Sequence, residues 1–217
     1  MKKLNLILLL SVLPFCGIYA APEVTQETAQ LLIPKLNSDR IAHFFGSYGV
    51  ETIPMTSSPF GECRVANLYS KDGEDKIMRT LAIVDFKQPV HESLQQVHKD
   101  IIAGKSVGIA LRDDGWKIDK VPVYFGSVDL SPALKAWMHE NKDDRAAVHI
   151  YQLNVSKESS KEQLHYCTII EVHSPQYLDE KWLQALYADQ FADHQGSTKE
   201  VDGLISSLNT LILQLPK

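Results

Sequence analysis

Two pairs of strand-like segments, each joined by a short polar turn, constrain this chain more than any other feature. Cys63–Ser70 and Lys76–Phe86 flank Lys71-Asp72-Gly73-Glu74-Asp75, and Ala146–Ser156 and Gln163–His173 flank a Lys/Glu/Ser turn. Asp-Gly between two such runs is a tight-hairpin signal, and a short hairpin can join only antiparallel strands. Gly49–Met55 and Trp116–Val128 have the same character, which brings the expected strands to six.

Helical periodicity fills the intervals. Val24–Ile33 and Ser38–Phe45 are expected as two short helices interrupted by Pro34, with Asn37 or Ser38 capping the second. Val90, Leu94, Val97 and Ile101 form one helical stripe, followed by a short segment at Val107–Leu111. Ser131 caps a helix that opens on Pro132 and runs to about Glu140. After the last strand come helices at Leu178–Asp189 and Lys199–Gln214, the second with Val201, Leu204, Ile205, Leu208, Leu211 and Ile212 on one face. The expected fold class is therefore α+β, a six-stranded antiparallel sheet with helices packed on one face. No repeat or linker divides it, so residues 22–217 read as a single domain.

Residues 1–20 read as a secretory signal peptide: Lys2-Lys3, an apolar run from Leu6 to Phe15, then Ile18 and Ala20 at the −3 and −1 positions of a cleavage site. The short two-lysine start has a bacterial character, so the mature protein is expected in the periplasm or secreted. The run is too short to span a bilayer, and no later segment reaches the roughly 18 apolar residues that a transmembrane helix needs. Leu13-Pro14-Phe15 ahead of Cys16 argues against lipidation. With 22 Lys+Arg against 27 Asp+Glu, the net charge of −5 leaves little to neutralise phosphates and excludes a nucleic-acid partner. Three cysteines exclude a disulfide-scaffold mini-protein. Once Cys16 is cleaved away, Cys63 and Cys167 remain. They are either a disulfide, which would stabilise by roughly 4–5 kcal/mol in the chain-entropy model, or two separately buried thiols.

Alternation along the third strand puts Ile77, Arg79, Leu81 and Ile83 on one face. A guanidinium among aliphatic neighbours stays charged and must meet an anion, from the protein or from a ligand. In the sixth strand Glu171 shares a face with Cys167 and Ile169, flanked by His165 and His173. A carboxyl beside apolar neighbours suits a general acid unless it is paired. Arg79 and Glu171 could equally satisfy each other in a structural ion pair. The eight histidines come without HExxH, a CxxC pair or a dense His/Asp cluster, so no metal and no cofactor is expected. There is no GxSxG elbow and no phosphate-cradling glycine loop, and both cysteines lie in strands rather than at a helix N-terminus.

The order of these features resembles a known family. Asn67-Leu68-Tyr69-Ser70, the Asp72-Gly73 turn and Arg79-Thr80 are similar to chorismate pyruvate-lyase and the related UTRA ligand-sensing domains. Downstream, Ser106-Val107-Gly108-Ile109-Ala110-Leu111 stands in the place of that family's Leu-Gly segment. Ile170-Glu171-Val172-His173-Ser174-Pro175 resembles its strand with Thr-Glu-Leu-x-x-Pro. The resemblance covers about residues 63–175, and the helices at 178–214 lie beyond it. It implies a chorismate lyase-like fold in which Arg79 holds a carboxylate, backbone amides around Gly108–Leu111 assist, and Glu171 delivers a proton to a departing ether oxygen. The family's Arg-Thr-x-x-Pro lacks its proline here, since Ile83 stands in that place.

Three readings follow. The first is a binder of a small carboxylated, optionally aromatic, molecule through Arg79, Gly108, Leu111 and Glu171. The second is a cofactor-independent lyase with Arg79 as anchor and Glu171 as acid. The third is an exported interaction protein with a filled core.

Overall fold

The computed structural model describes residues 25–216 apart from 34, 56, 62 and 159–161. The expected signal peptide and Cys16 lie outside the described residues. Six strands form: β1 (Gly49–Thr52), β2 (Cys63–Asp72), β3 (Asp75–Phe86), β4 (Lys117–Asp129), β5 (Arg145–Ser156) and β6 (Leu164–His173). They make one antiparallel sheet in the order β1-β2-β3-β6-β5-β4. Two three-stranded meanders, β1 to β3 and β4 to β6, thus meet where β3 pairs with β6. The β2–β3 hairpin closes with Asp72 opposite Asp75. Gly73 takes φ 59°, a left-handed conformation that costs other residues roughly 1–2 kcal/mol.

The helices are α1 (Gln26–Leu32), α2 (Asn37–Phe45), α3 (Gln95–Ile102), α4 (Val107–Asp113), α5 (Pro132–Met138), α6 (Glu180–Leu186), α7 (Ala188–Phe191) and α8 (Lys199–Leu213). As expected, Ser131 caps α5 by accepting from the Leu134 amide, with Pro132 in the first turn. Thr198 caps α8 in the same way. The segment at Val107–Leu111 is the body of α4. The expected helix over Leu178–Asp189 is divided, because Asp179 caps α6 and the chain re-enters helix as α7 after Tyr187.

Helices cover both faces of the sheet, where the expectation had them on one. Ala82 lies opposite Glu171 and Thr80 opposite His173, whereas Leu81 lies opposite Val172 and Ile83 opposite Ile170. The face of Leu81, Ile83, Val148, Ile170 and Val172 packs against Leu134 and Met138 of α5 and Leu208, Leu211 and Ile212 of α8. The other face packs against α3 and α4 through Val97, Ile101 and Leu111, and against α1, α2 and α6 through Leu32, Ile41 and Trp182. The physical reason is in the strands. β3 is apolar at odd and even positions alike, so both of its faces must be taken out of water.

The same parity separates the two cysteines. Cys63 packs on the α5–α8 face and Cys167, fully buried, on the α3–α4 face. Both are thiols. Strand neighbourhood alone cannot bring them together, because the sheet itself lies between the side chains.

Candidate functional site

The site lies on the face covered by α2 and α4, and a β-bulge decides its membership. Leu68 pairs with Thr80 but Tyr69 pairs with Met78, so Arg79 is the extra residue on β3. Met78 therefore joins Leu81 and Ile83 in the core under α5 and α8. Arg79 turns to the opposite face from the one that unbroken alternation gives it. There its Nε donates to Ser70 Oγ at 2.8 Å and its guanidinium lies 3.7 Å from the centroid of the Phe45 ring of α2. The bulge thus puts Arg79 on the same face as Glu171. The two form no ion pair, and Arg79, 1% exposed, does not line the cavity onto which Glu171 opens.

That cavity measures about 60 Å³ and lies between the sheet, the start of α2 and the start of α4. Glu171, Arg64, Lys120, Ser38 and Ser106 line it among aliphatic side chains. Of the backbone segment expected to assist, Gly108 reaches the cavity. A Cβ there would come within 3.0 Å of Leu36, so glycine lets α4 close against the α2 entrance. Leu111 points elsewhere, into the apolar core with Val97 and Ile101.

Glu171 is 5% exposed and held by a directional network. The Tyr177 hydroxyl donates to Asn37 Oδ1 at 2.6 Å. That contact fixes the amide orientation, so Asn37 Nδ2 donates to Glu171 Oε1 at 3.0 Å and to Thr80 Oγ1 at 3.2 Å. The Thr80 hydroxyl is left to donate to His173 Nδ1, 3.0 Å away. Neutral His173 then carries its proton on Nε2, which stands 3.7 Å from Glu171 Oε2. Burial pushes the His173 pKa down to about 4, against the opposing pull of Glu171. His149, the direct cross-strand partner of Glu171, is pushed well below the usual histidine range by burial and by the Lys120 charge. It stacks on Phe125 at 4.5 Å.

Of the residues singled out from the sequence, Glu171 and Gly108 line the cavity; Asn37, Ser38, Arg64 and Lys120 line it too and were not singled out as site residues. Asn37 or Ser38 was expected as the cap of α2. Instead Leu36 occupies the cap position without a side-chain bond, and the Asn37 amide is spent on Glu171. Arg64 grips the end of α3 by donating to the carbonyls of Gly104 and Lys105. No periodicity signals such long-range partners. Burial pushes the Cys63 and Cys167 thiols up, away from reactive thiolate. Among the described residues no group of three or more His, Cys, Asp or Glu side chains is arranged to hold a metal, and no helix is long and apolar enough to cross a membrane. Compared with known proteins, the chain matches no family model and no curated protein significantly.

Proposed function

We propose that this is an exported bacterial protein of chorismate lyase-like fold that binds a small carboxylated molecule on the α2–α4 face of its sheet. The observation that carries the reading is the cavity that the buried Glu171 carboxyl shares with Arg64 and Lys120 in a mostly apolar lining. An apolar pocket with a few convergent polar groups is the usual form of a small-molecule site. Ser38 Oγ, buried in that lining, has no hydrogen-bond partner among the described residues, which suits a polar occupant. At about 60 Å³ the cavity takes a group of a few heavy atoms, and any larger body extends beyond it. The kinship is supported by the six-stranded antiparallel sheet and by the adjacency of the Arg79-Thr80 strand to the Glu171 strand.

The test is mass spectrometry of small molecules released on denaturing the purified protein, with Ser38→Leu as a cavity-filling control. A carboxylated molecule released by the wild type and lost in the variant is the expected result. Release of none, with no rise in melting temperature across a panel of millimolar carboxylates, would refute the reading.

A lyase is the second reading, because the Glu171 carboxyl itself lines the cavity. For a lyase, Glu171→Gln lowers turnover by roughly 100-fold while leaving affinity in place.

A further inference from the structure

Beside the Glu171 cavity, and sharing Leu36, Ile118 and Lys120 with it, an open cleft of about 590 Å³ lies between the α1–α2 junction, the start of β4 and the α6–α7 turn. Arg40 of α2 lines this cleft although its residue is only 3% exposed. Its partners are all neutral. Nε donates to Leu32 O at 2.9 Å, Nη2 to Ile33 O at 3.2 Å and Nη1 to Tyr187 Oη at 3.5 Å. The first two bonds tie down the end of α1 and give Arg40 a structural role. The three bonds together leave two of the five guanidinium N–H groups without a partner, and the whole charge without a contacting anion.

No carboxylate of the described residues lies within ion-pair distance of Arg40. Glu171 acts on it only through space. A guanidinium cannot neutralise itself by losing a proton, so burial without an acid is costly unless an anion completes the site. The surroundings are suited to one. Lys35, Arg112 and Lys120 join Arg40 in the lining, against two carboxylates, Asp39 and Asp189. Asp39 is already engaged by Arg112 at 3.2 Å. In a chain of net charge −5, this is a local excess of positive charge. Leu36, Trp116, Ile118 and Leu186 supply apolar wall, and the volume is that of an ordinary small-molecule site.

We propose that this cleft is the carboxylate-binding compartment, with Arg40 as the anchor in place of Arg79. Lys120 is the cation common to cleft and cavity, and the Trp116–Ile118 wall takes the aliphatic or aromatic body of a monocarboxylate. The inference rests on the small-carboxylate reading and adds to it the anchor and the ligand's shape.

Calorimetric titration with benzoate and hexanoate, against the neutral isosteres benzamide and hexanol, tests it on the full protein. Both carboxylates should bind and the neutral compounds should bind at least about tenfold more weakly, as loss of a charge-assisted pair requires. Arg40→Lys, which keeps the charge but loses the planar fork, and Lys120→Ala, which leaves the α1 contacts intact, should each weaken benzoate binding several-fold. If Arg40→Lys fails to fold, Lys120→Ala and a benzoate-induced shift of the Arg40 Nε–H resonance decide the matter. Equal affinity for benzoate and benzamide overturns the anchor. So does undiminished benzoate binding in Lys120→Ala together with an unmoved Arg40 signal. A co-purified carboxylate alongside either result leaves the broader reading standing and removes only Arg40 from it.

Discussion

Acid should destabilise this protein through His173, in a pH window set by its burial. The ring is 1% exposed, its Nδ1 accepts from Thr80, and its pKa falls from the ordinary 6.5 to about 4. The unfolded chain therefore takes up the proton first as the pH falls. Stability is full above pH 6.5 and is lost as the pH drops from there to about 4, below which both states are protonated. At about 1.4 kcal/mol per pKa unit the loss amounts to roughly 3 kcal/mol, a large part of a typical domain's stability. The measurement is urea unfolding at a series of pH values for the wild type and for His173→Asn, whose side-chain oxygen can accept from Thr80 but does not titrate. His149 and the surface carboxylates are present in both proteins, so the difference between the two pH profiles reports His173 together with its coupling to Glu171 and His149. The wild type should lose about 2–3 kcal/mol more than the variant between pH 7.5 and 4.5. Parallel profiles, or a nuclear-resonance titration placing the His173 pKa near 6, would refute the reasoning.

Asn37→Leu keeps the side-chain size but removes the acceptor of Tyr177 and the donor to Glu171 and Thr80. It should cost about 2–4 kcal/mol in urea unfolding, because three buried polar groups lose a partner at once; a loss under 1 kcal/mol would show that the network is not a stabilising unit. Alkylation of the unfolded protein without reductant should label both Cys63 and Cys167, which lie on opposite faces of the sheet. A peptide pair linked through these two residues would overturn that placement.

Local sequence signals determined most of the architecture. The Asp72-Gly73 turn, the second hairpin and the alternating strands specified an antiparallel sheet, because turn chemistry and period-two patterning act over a few residues. Ser131-Pro132 specified the start of α5, and the stripe from Val201 to Ile212 specified α8, for the same reason. Glu171 was legible as a carboxyl stranded in an apolar strand. What only the tertiary structure decided depended on contacts between distant elements. A single bulge on β3 reversed the face of Arg79, and alternation rules cannot foresee a bulge. Asn37 reached across 134 positions to Glu171, so its cap-like position in the sequence said nothing of its partner. Arg40 reads as an ordinary surface residue of an amphipathic helix until the end of α1 and Tyr187 close over it. Burial is a property of the assembled chain, and burial is what turns these polar groups from solvated surface into a site.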